Sequence, residues 1–242
     1  MLTVRTCLLW ALYSLTSLLL CIWLAWHLFA QINFIYPLWY SLLNIDQTIE
    51  QTAPRHLHKK HFEQTSRQEH YRLFAEMVRA VQNQGKGLSQ IQYRDRDGKV
   101  LDRLLTQKEV IHLADVANFV NVLNWWSLIL LVAGLVLLAL MFLVRVQMPK
   151  LRNLLFTVVA VVSVGVLVLA SIGFTKVFYW LHPIVFPADH QWFFYYEESL
   201  MSTLMKAPVL FAPLGVQLLL LGFIFWGMHL LLLKKLRVFK SA

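Results

Sequence analysis

Residues 125–144 read WWSLILLVAGLVLLALMFLV, a run that contains no charged side chain. A helix needs about 20 mostly apolar residues to cross a bilayer, because the hydrocarbon core is roughly 30 Å thick and each residue rises about 1.5 Å. The run therefore predicts a membrane-spanning helix. Three further stretches satisfy the same rule, namely Cys7–Ala30, Leu154–Phe174 and Ala207–Leu233.

The overall composition agrees with four spans. Of the 242 residues, 58% are hydrophobic and 14% are charged, and the apolar residues are concentrated in the four runs. The first run is longer than the roughly 7–15 apolar residues of a signal peptide, and no small-x-small cleavage site follows it. We therefore expect a retained anchor and an all-α polytopic membrane protein in which residues 1–242 form a single membrane domain.

Basic residues predict the orientation of the chain, because lysine and arginine next to spans stay on the cytoplasmic side. Three short segments on one side are basic, and they contain Arg5, then Arg145, Lys150 and Arg152, and finally Lys234, Lys235, Arg237 and Lys240. Both termini are expected in the cytoplasm, and the loops 31–124 and 175–206 outside. Topology explains much of the net charge of +9, so that charge gives no argument for nucleic-acid binding.

The long outer loop contains signals for regular structure. A helix is predicted by apolar residues at helical spacing, which are Tyr71, Phe74, Met77, Val78 and Val81. The glycine-rich stretch 84–87 ends it, and alternation on both sides of Asp97-Gly98 predicts a small β-hairpin. Thr106 and Glu109 have the spacing of a capping box, and no Gly or Pro interrupts the chain from there into the second span.

The first candidate for chemistry is the pair His112 and Asp115, three residues apart on the predicted helix. Residues at that spacing project from one helix face, so the carboxylate can hold one imidazole nitrogen protonated and leave the other free to exchange protons. A solvated helix face has the same sequence pattern. Both interpretations stay open on this pair alone.

The second candidate is His182, in the sequence LHPIVFPADHQWF of residues 181–193. The surrounding loop, 175–206, is rich in aromatic residues and too apolar for a solvated loop, so it is expected in or near the outer membrane interface. A histidine among apolar neighbours at that depth is a functional hypothesis by default. An interfacial histidine that only binds backbone or water remains the alternative.

Other histidines give weaker indications. His56, His58 and His61 form a cluster, but no cysteine accompanies it and the neighbouring lysines would repel a cation, so no metal site and no cofactor are predicted. His27 and His229 lie near or within spans and are expected to be packing residues, with a haem pair as the alternative.

Several enzyme classes are disfavoured. Cys7 and Cys21 both lie in the first span, so no outer thiol nucleophile or disulfide framework is predicted. The chain also contains no G-x-S-x-G elbow, P-loop, dinucleotide fingerprint or H-E-x-x-H motif. A standard hydrolase triad is therefore not expected.

Two stretches resemble the signatures of the lipoprotein intramolecular transacylases (Lit), a bacterial membrane family. Residues 105–116, LTQKEVIHLADV, resemble its Thr-x-x-Glu…His-x-x-Asp-Val segment. Its second signature, a histidine followed by Phe and Trp, is similar to Phe178-Tyr179-Trp180-Leu181-His182, Phe186, Asp189 and Trp192-Phe193. Span number, loop order and orientation also agree. The chain departs from the family at 206–211, KAPVLF, where a Pro-Glu-Phe-Phe-like run is expected and no acidic residue occurs.

The resemblance implies an acyltransferase that moves the sn-2 acyl chain of a diacylated lipoprotein to the α-amine of its N-terminal cysteine, giving the lyso-form. Attack by the amine requires a base, and the departing alkoxide requires a proton. We assign His112, oriented by Asp115, as base and His182 as acid, and the reverse stays open. Phe186, Trp192 and Phe193 are expected to bind the substrate's lipid.

The resemblance also implies the bacterial inner membrane, a lipoprotein substrate, contact with membrane lipid, and no cofactor; we expect a monomer. Two other classes stay in view. One is a non-catalytic membrane binding or assembly subunit, and the other is a haem or quinone protein that uses intramembrane histidines. An optical spectrum without a Soret band and mass analysis of a co-expressed lipoprotein discriminate among them.

The topology is directly testable. Cysteines introduced at Asp97 and Asp189 should react with a membrane-impermeant reagent added outside the cell, because the basic residues hold the other segments inside. A Pro149→Cys variant should stay unlabelled until the membrane is permeabilised. Outside labelling of the Pro149→Cys variant would overturn the orientation.

Overall fold

The computed structural model describes residues 4–236 and 238–239. Two of the predicted cytoplasmic basic residues, Arg237 and Lys240, and the predicted C-terminus lie outside these residues. The chain forms two compact units. One contains the N-terminal helix up to Leu28, residues 123–173 and the chain from Val216 onwards, and the other contains Phe29–Val122 and Phe174–Gly215.

Most of the described chain is helical. The helices, in chain order, are α1 (Val4–Gln31), α2 (Tyr36–Leu42), α3 (Ile45–Thr52), α4 (Arg67–Gln82), α5 (Gln107–Leu143), α6 (Leu151–Ile172), α7 (Phe174–Val185), α8 (Leu200–Met205) and α9 (Phe211–Lys235). Short 3-10 turns lie at Asn33–Ile35, Ala53–Arg55, Phe62–Gln64 and Leu88–Gln90. The strands β1 (Gln92–Arg94) and β2 (Val100–Arg103) form one antiparallel pair.

Four of these helices, α1, α5, α6 and α9, are long and apolar enough to cross a membrane. The prediction of an all-α polytopic membrane protein with four spans is confirmed. The predicted first, third and fourth spans differ by a few residues at their ends from these helices, whereas α5 begins far earlier than the predicted second span. That helix starts at Gln107 and continues without interruption to Leu143.

The membrane helices of the first unit pack through large side chains with satisfied polar groups. Trp10 and Trp226 are almost fully buried. The indole N–H of Trp10 donates to the Gln147 carbonyl at 2.9 Å, and that of Trp226 donates to the Ser17 hydroxyl at 3.1 Å. Helix α6, in contrast, contains no buried residue. Its partly buried side chains, among them Leu154, Val158 and Val162, pack against the cluster that contains Trp10 and Trp226. Its other apolar side chains are exposed, which is stable where lipid covers them.

The second unit is built on aromatic contacts between α2 and α4. The ring of Tyr36 stacks on Phe74 with centroids 3.9 Å apart, and its hydroxyl donates to the Leu204 carbonyl at 2.6 Å. Helix α4 follows the predicted apolar spacing and ends at Gln82, before Gly85 and Gly87, whose φ angles are positive. Glycine adopts this conformation without strain, which explains the break.

Two local predictions for the long loop are confirmed. Strands β1 and β2 pair around a turn in which Gly98 has a φ of 85° and the Asp95 side chain accepts from the Asp97 and Lys99 backbone N–H groups. The capping box at the start of α5 also forms. The Glu109 carboxylate accepts from the Thr106 backbone N–H at 2.6 Å, and the Thr106 hydroxyl accepts from the Glu109 backbone N–H at 3.4 Å.

Gly222 of α9 is a point of close helix approach in the first unit. A Cβ added there would lie 2.6 Å from Cγ1 and 3.2 Å from Cα of Ile22 in α1. Gly222→Ala should therefore lower the free energy of unfolding by about 1–3 kcal/mol through overpacking. Gly227→Ala in the same helix meets nothing within 4 Å and should leave the melting temperature in detergent unchanged or raised. Equal melting temperatures for both variants would contradict this packing.

Candidate active site

The second unit brings His112 and His182 together. His112 lies in the second turn of α5 and is only 8% exposed, and His182 lies near the end of α7. Their ring centroids are 6.2 Å apart, and the ring planes differ by 32°. Two histidines separated by 70 positions in the sequence thus form one pair, as the resemblance implied.

Aromatic rings surround this pair. Phe186 contacts both imidazoles, and its ring centroid lies 5.1 Å from that of His112 and 5.2 Å from that of His182. The ring of Trp192 lies 4.8 Å from His182. Phe193 contacts Trp192 and Tyr179 and has no ring contact with either histidine among those that the structure describes.

Two further rings complete the surroundings and were not singled out from the sequence as binding residues. Phe194 is buried, with its ring 6.0 Å from His112, and Phe178 lies 4.0 Å from His182. Phe178 stands one helical turn before His182, a spacing that could have identified it. Phe194 belongs to a loop without regular structure, so no periodicity pointed to it.

The protonation of His182 is fixed by the backbone. Its Nδ1 lies 2.6 Å from the Phe178 carbonyl oxygen. A carbonyl only accepts, so Nδ1 must carry the hydrogen and the neutral ring keeps its lone pair on Nε2. The free Nε2 of His182 is therefore a proton acceptor.

His112 is held differently. Its Nδ1 is buried and has no hydrogen-bond partner within the part of the chain that the structure describes. Leaving a buried polar atom unpaired costs about 1–3 kcal/mol, so such atoms are rare in folded proteins and are characteristic of functional sites. The imidazole of His112 retains capacity to bond a ligand.

Burial keeps both imidazoles neutral. Burial, with a smaller effect of the neighbouring His182, lowers the pKa of His112 to about 4, and Asp115 opposes the shift. Burial also lowers the pKa of His182, against the effect of its hydrogen bond to the Phe178 carbonyl. At neutral pH each ring can therefore accept a proton at one nitrogen and donate from the other.

Asp115 does not orient His112 as the sequence suggested. Its carboxylate instead accepts from Nδ1 of His190 at 2.7 Å, 75 residues further along the chain. This hydrogen bond raises the pKa of His190. The i, i+3 spacing predicted the correct helix face, but a residue from the second loop reaches the carboxylate.

Glu109 connects the first turn of α5, which precedes His112, to the start of α8. Its side chain is 1% exposed, and besides its capping contact with Thr106 it accepts from the Ser199 hydroxyl at 2.6 Å and from the Met201 backbone N–H at 3.3 Å. Ser199 also accepts from the Ser202 backbone N–H and so caps α8. The buried carboxylate therefore joins the N-termini of α5 and α8.

The remaining histidines have other partners. Nδ1 of His56 accepts from the backbone N–H groups of His58 and Lys59. His27 bonds the Asn124 side chain at 3.1 Å, and His229 bonds the Tyr13 hydroxyl at 2.7 Å. Within residues 4–236 and 238–239, no group of three or more His, Cys, Asp or Glu side chains is placed to hold a metal ion.

The segment that departs from the family pattern has its own contacts. Lys206 adopts a left-handed conformation with a φ of 42°, and its ammonium donates to the Leu43 carbonyl at 2.6 Å. The hydroxyl of Tyr196 donates to the Ala207 carbonyl at 2.8 Å. Lys206 therefore ties this segment to the residue that follows α2.

The fold and the arrangement of these side chains define a polytopic membrane protein in which two neutral histidines lie together among aromatic rings. The sequence model of the family described as "Lipoprotein intramolecular transacylase Lit" matches residues 11–206. The chain belongs to this family, and it is an acyltransferase. None of the curated proteins matches the chain, and none of the comparisons points to an assembly subunit or to a haem or quinone protein.

Two solved structures have the same fold. One is the membrane integral lipoprotein intramolecular transacylase Lit from Bacillus cereus, determined in meso, with 16% identity and a TM-score of 0.63 over 96% of this chain and 98% of that chain. The other is the same protein carrying a histidine-to-arginine mutation, with 16% identity and a TM-score of 0.62 over 96% of this chain and 94% of that one.

The lowered pKa of His112 has a consequence for stability. The unfolded chain, with a histidine pKa of about 6.5, takes up a proton on acidification before the folded chain does, so the folded state loses stability as pH falls from about 6.5 towards 4. His112→Gln stays neutral and should show a smaller drop in melting temperature between about pH 7.5 and about pH 5. His58→Gln, at an exposed position, should show the wild-type drop. Identical drops in all three proteins would contradict a buried neutral His112.

Proposed function

We propose that this chain transfers the sn-2 acyl chain of a lipoprotein's diacylglyceryl group to the α-amine of the same N-terminal cysteine. The observation that carries the proposal is the pair of neutral imidazoles 6.2 Å apart within an aromatic pocket, in a member of the transacylase family. Nucleophile and ester belong to one substrate molecule, so the enzyme must supply orientation, proton transfer and stabilisation of the oxyanion.

The proton acceptor in this proposal is His182. The substrate α-ammonium has a pKa near 8, so the amine form that attacks is available at neutral pH and must lose a second proton as the C–N bond forms. Nε2 of His182 carries the lone pair because Nδ1 donates to the Phe178 carbonyl. This arrangement favours the reverse of the assignment made from the sequence.

His112 supplies the other proton. As the ester C–O bond breaks, its imidazole N–H protonates the departing sn-2 oxygen. One proton thus passes from nitrogen to oxygen overall, and transfer from His182 back to His112 restores both rings. Burial leaves His112 neutral, and a neutral imidazole N–H is a weak acid. It therefore transfers its proton only as negative charge develops on the departing oxygen.

The aromatic side chains bind the lipid part of the substrate. Phe186 and Trp192 lie against the imidazoles and are placed to contact the glyceryl group and the start of the acyl chain. Phe193 is 38% exposed, and Trp180 and Ile184 of α7 are more exposed still. Apolar side chains of this kind are stable where the acyl chains of membrane lipid cover them.

The chain acts as a monomer in the bacterial inner membrane in this proposal, with both termini in the cytoplasm and with His112 and His182 on the outer face. Residues 31–124 and 175–206 form the outer loops, and the spans are those predicted from the sequence. The diacylated lipoprotein arrives from the same membrane. Neither nucleic acid nor a cofactor takes part.

The test replaces each histidine by alanine in membranes supplied with a diacylated lipoprotein. Wild type should give an N-acyl, S-monoacyl product of unchanged total mass, because the chain migrates within one molecule. His112→Ala and His182→Ala should each lose activity by a factor of about 10² or more, as is typical when a positioned acid or base is removed. Mass spectrometry of the N-terminal peptide measures the product.

His58→Ala is the matched control, since that histidine is exposed and lies in the same unit. It should keep wild-type turnover. Full product formation by both single variants at the site would refute the mechanism. A free N-terminal amine after treatment with wild type would refute the function.

A further inference from the structure

The segment after α7 carries substrate-binding rings but has no regular structure of its own. It runs from Phe186 to Glu198 and includes Trp192, whose ring lies 4.8 Å from His182. Most of its hydrogen bonds are local, such as the one from the His190 backbone N–H to the Pro187 carbonyl. A ring on such a segment covers an imidazole reproducibly only if a longer-range contact fixes the segment.

His190 makes such a contact two residues before Trp192. Its Nδ1 lies 2.7 Å from an Asp115 oxygen, and the Asp115 side chain is largely shielded, at 14% exposure. Asp115 stands one helical turn after His112 on α5. The contact therefore ties the segment that carries Trp192 to the helix that carries His112.

We propose that Asp115 and His190 are a positioning pair for the transacylation: their ion pair holds the 187–193 segment against α5, so that Trp192 covers the ring of His182. This inference rests on the proposed function. Neither residue is assigned contact with the reacting atoms. Loss of the pair should reduce kcat more than it raises KM, because Trp192 then spends less time in its working position.

The pair is also sensitive to pH. The charged groups that act on His190 among the described residues are Asp115 on α5 and Asp189 in its own segment. The hydrogen bond to Asp115, followed by the two negative charges, raises the pKa of His190. The raised pKa widens the pH range over which His190 is protonated and paired with Asp115, and the ion pair weakens as rising pH removes the proton from His190.

The experiment measures kcat and KM across pH for four proteins in membranes: wild type, Asp115→Asn, His190→Ala and His190→Arg. We expect kcat to fall about tenfold in His190→Ala, which is a smaller loss than removal of a proton-transfer group causes. Asp115→Asn should move the alkaline fall in kcat to lower pH, because the pKa of His190 loses its main support. His190→Arg keeps a permanent cation and should recover activity without that alkaline fall.

Asp189→Asn is the matched control. Asp189 is an exposed carboxylate next to His190 whose effect on the pKa of His190 is the smallest of the contributions described above. The pH at which kcat falls should shift less in Asp189→Asn than in Asp115→Asn. A purely structural role for the pair would lower kcat equally at all pH values in every variant, and that outcome would overturn the proposal.

A second measurement needs no substrate. Fluorine NMR of 5-fluorotryptophan protein in detergent, with the Trp192 signal assigned by Trp192→Phe, should show that signal moving with pH in wild type and not in His190→Arg. A Trp192 signal that ignores pH in wild type would overturn the positioning pair. If wild type instead makes no lyso-form lipoprotein while the signal moves as expected, the proposed function fails, and the pair remains only a contact that positions Trp192.

Discussion

The buried carboxylate of Glu109 is the interaction on which the site depends. A carboxylate with 1% exposure is stable only if hydrogen bonds replace the water that it has lost. Glu109 meets that condition with the Thr106 backbone N–H, the Ser199 hydroxyl and the Met201 backbone N–H. Because these groups come from residues 31–124 and 175–206, the same three contacts that stabilise the charge also bring the two loops together one turn before His112.

The first turns of α5 repeat this arrangement. Glu109, His112 and Asp115 follow one another at intervals of three residues, and each meets a different part of residues 174–215. Glu109 binds the start of α8, His112 packs on α7 and Phe194, and Asp115 binds His190. A single helical face thus organises the second loop, which has little regular structure of its own between α7 and α8.

Burial alone does not identify the reactive histidine. His70 and His112 both have a pKa lowered to about 4, with burial as the main cause. Both nitrogens of His70 are satisfied, because Nδ1 bonds the Tyr40 hydroxyl at 2.8 Å and Nε2 bonds the Thr65 hydroxyl at 2.7 Å. His112 keeps a buried nitrogen without a partner in the described residues, and so does His56 at Nε2. The arrangement of His70 suits a structural residue, and His112 differs from His56 in lying against His182, Phe186 and Phe194.

The sequence predicted what depends on local pattern. The spans, the capping box of α5, the helix α4 and the hairpin follow from apolar spacing, glycine positions and side-chain chemistry over a few residues. Contacts between the loops lie beyond such patterns, since Asp115 meets His190 across 75 positions and Glu109 meets Ser199 across 90. The pairing of His112 with His182 was reached only through the family resemblance, because no local rule relates two loops separated by spans.

Helix α6 has no buried residue, and this has a consequence for how the chain can change over time. A side chain that faces only acyl chains is constrained by its hydropathy and by the length of the helix, and not by the shape of a neighbour. Leucine, valine and phenylalanine are interchangeable under those conditions. We therefore expect the exposed face of α6 to diverge fastest among related chains while its apolarity persists. Leu154, Val158 and Val162 pack against the cluster around Trp10 and Trp226 and should change less. The face of α5 that contains Glu109, His112 and Asp115 should tolerate almost no substitutions.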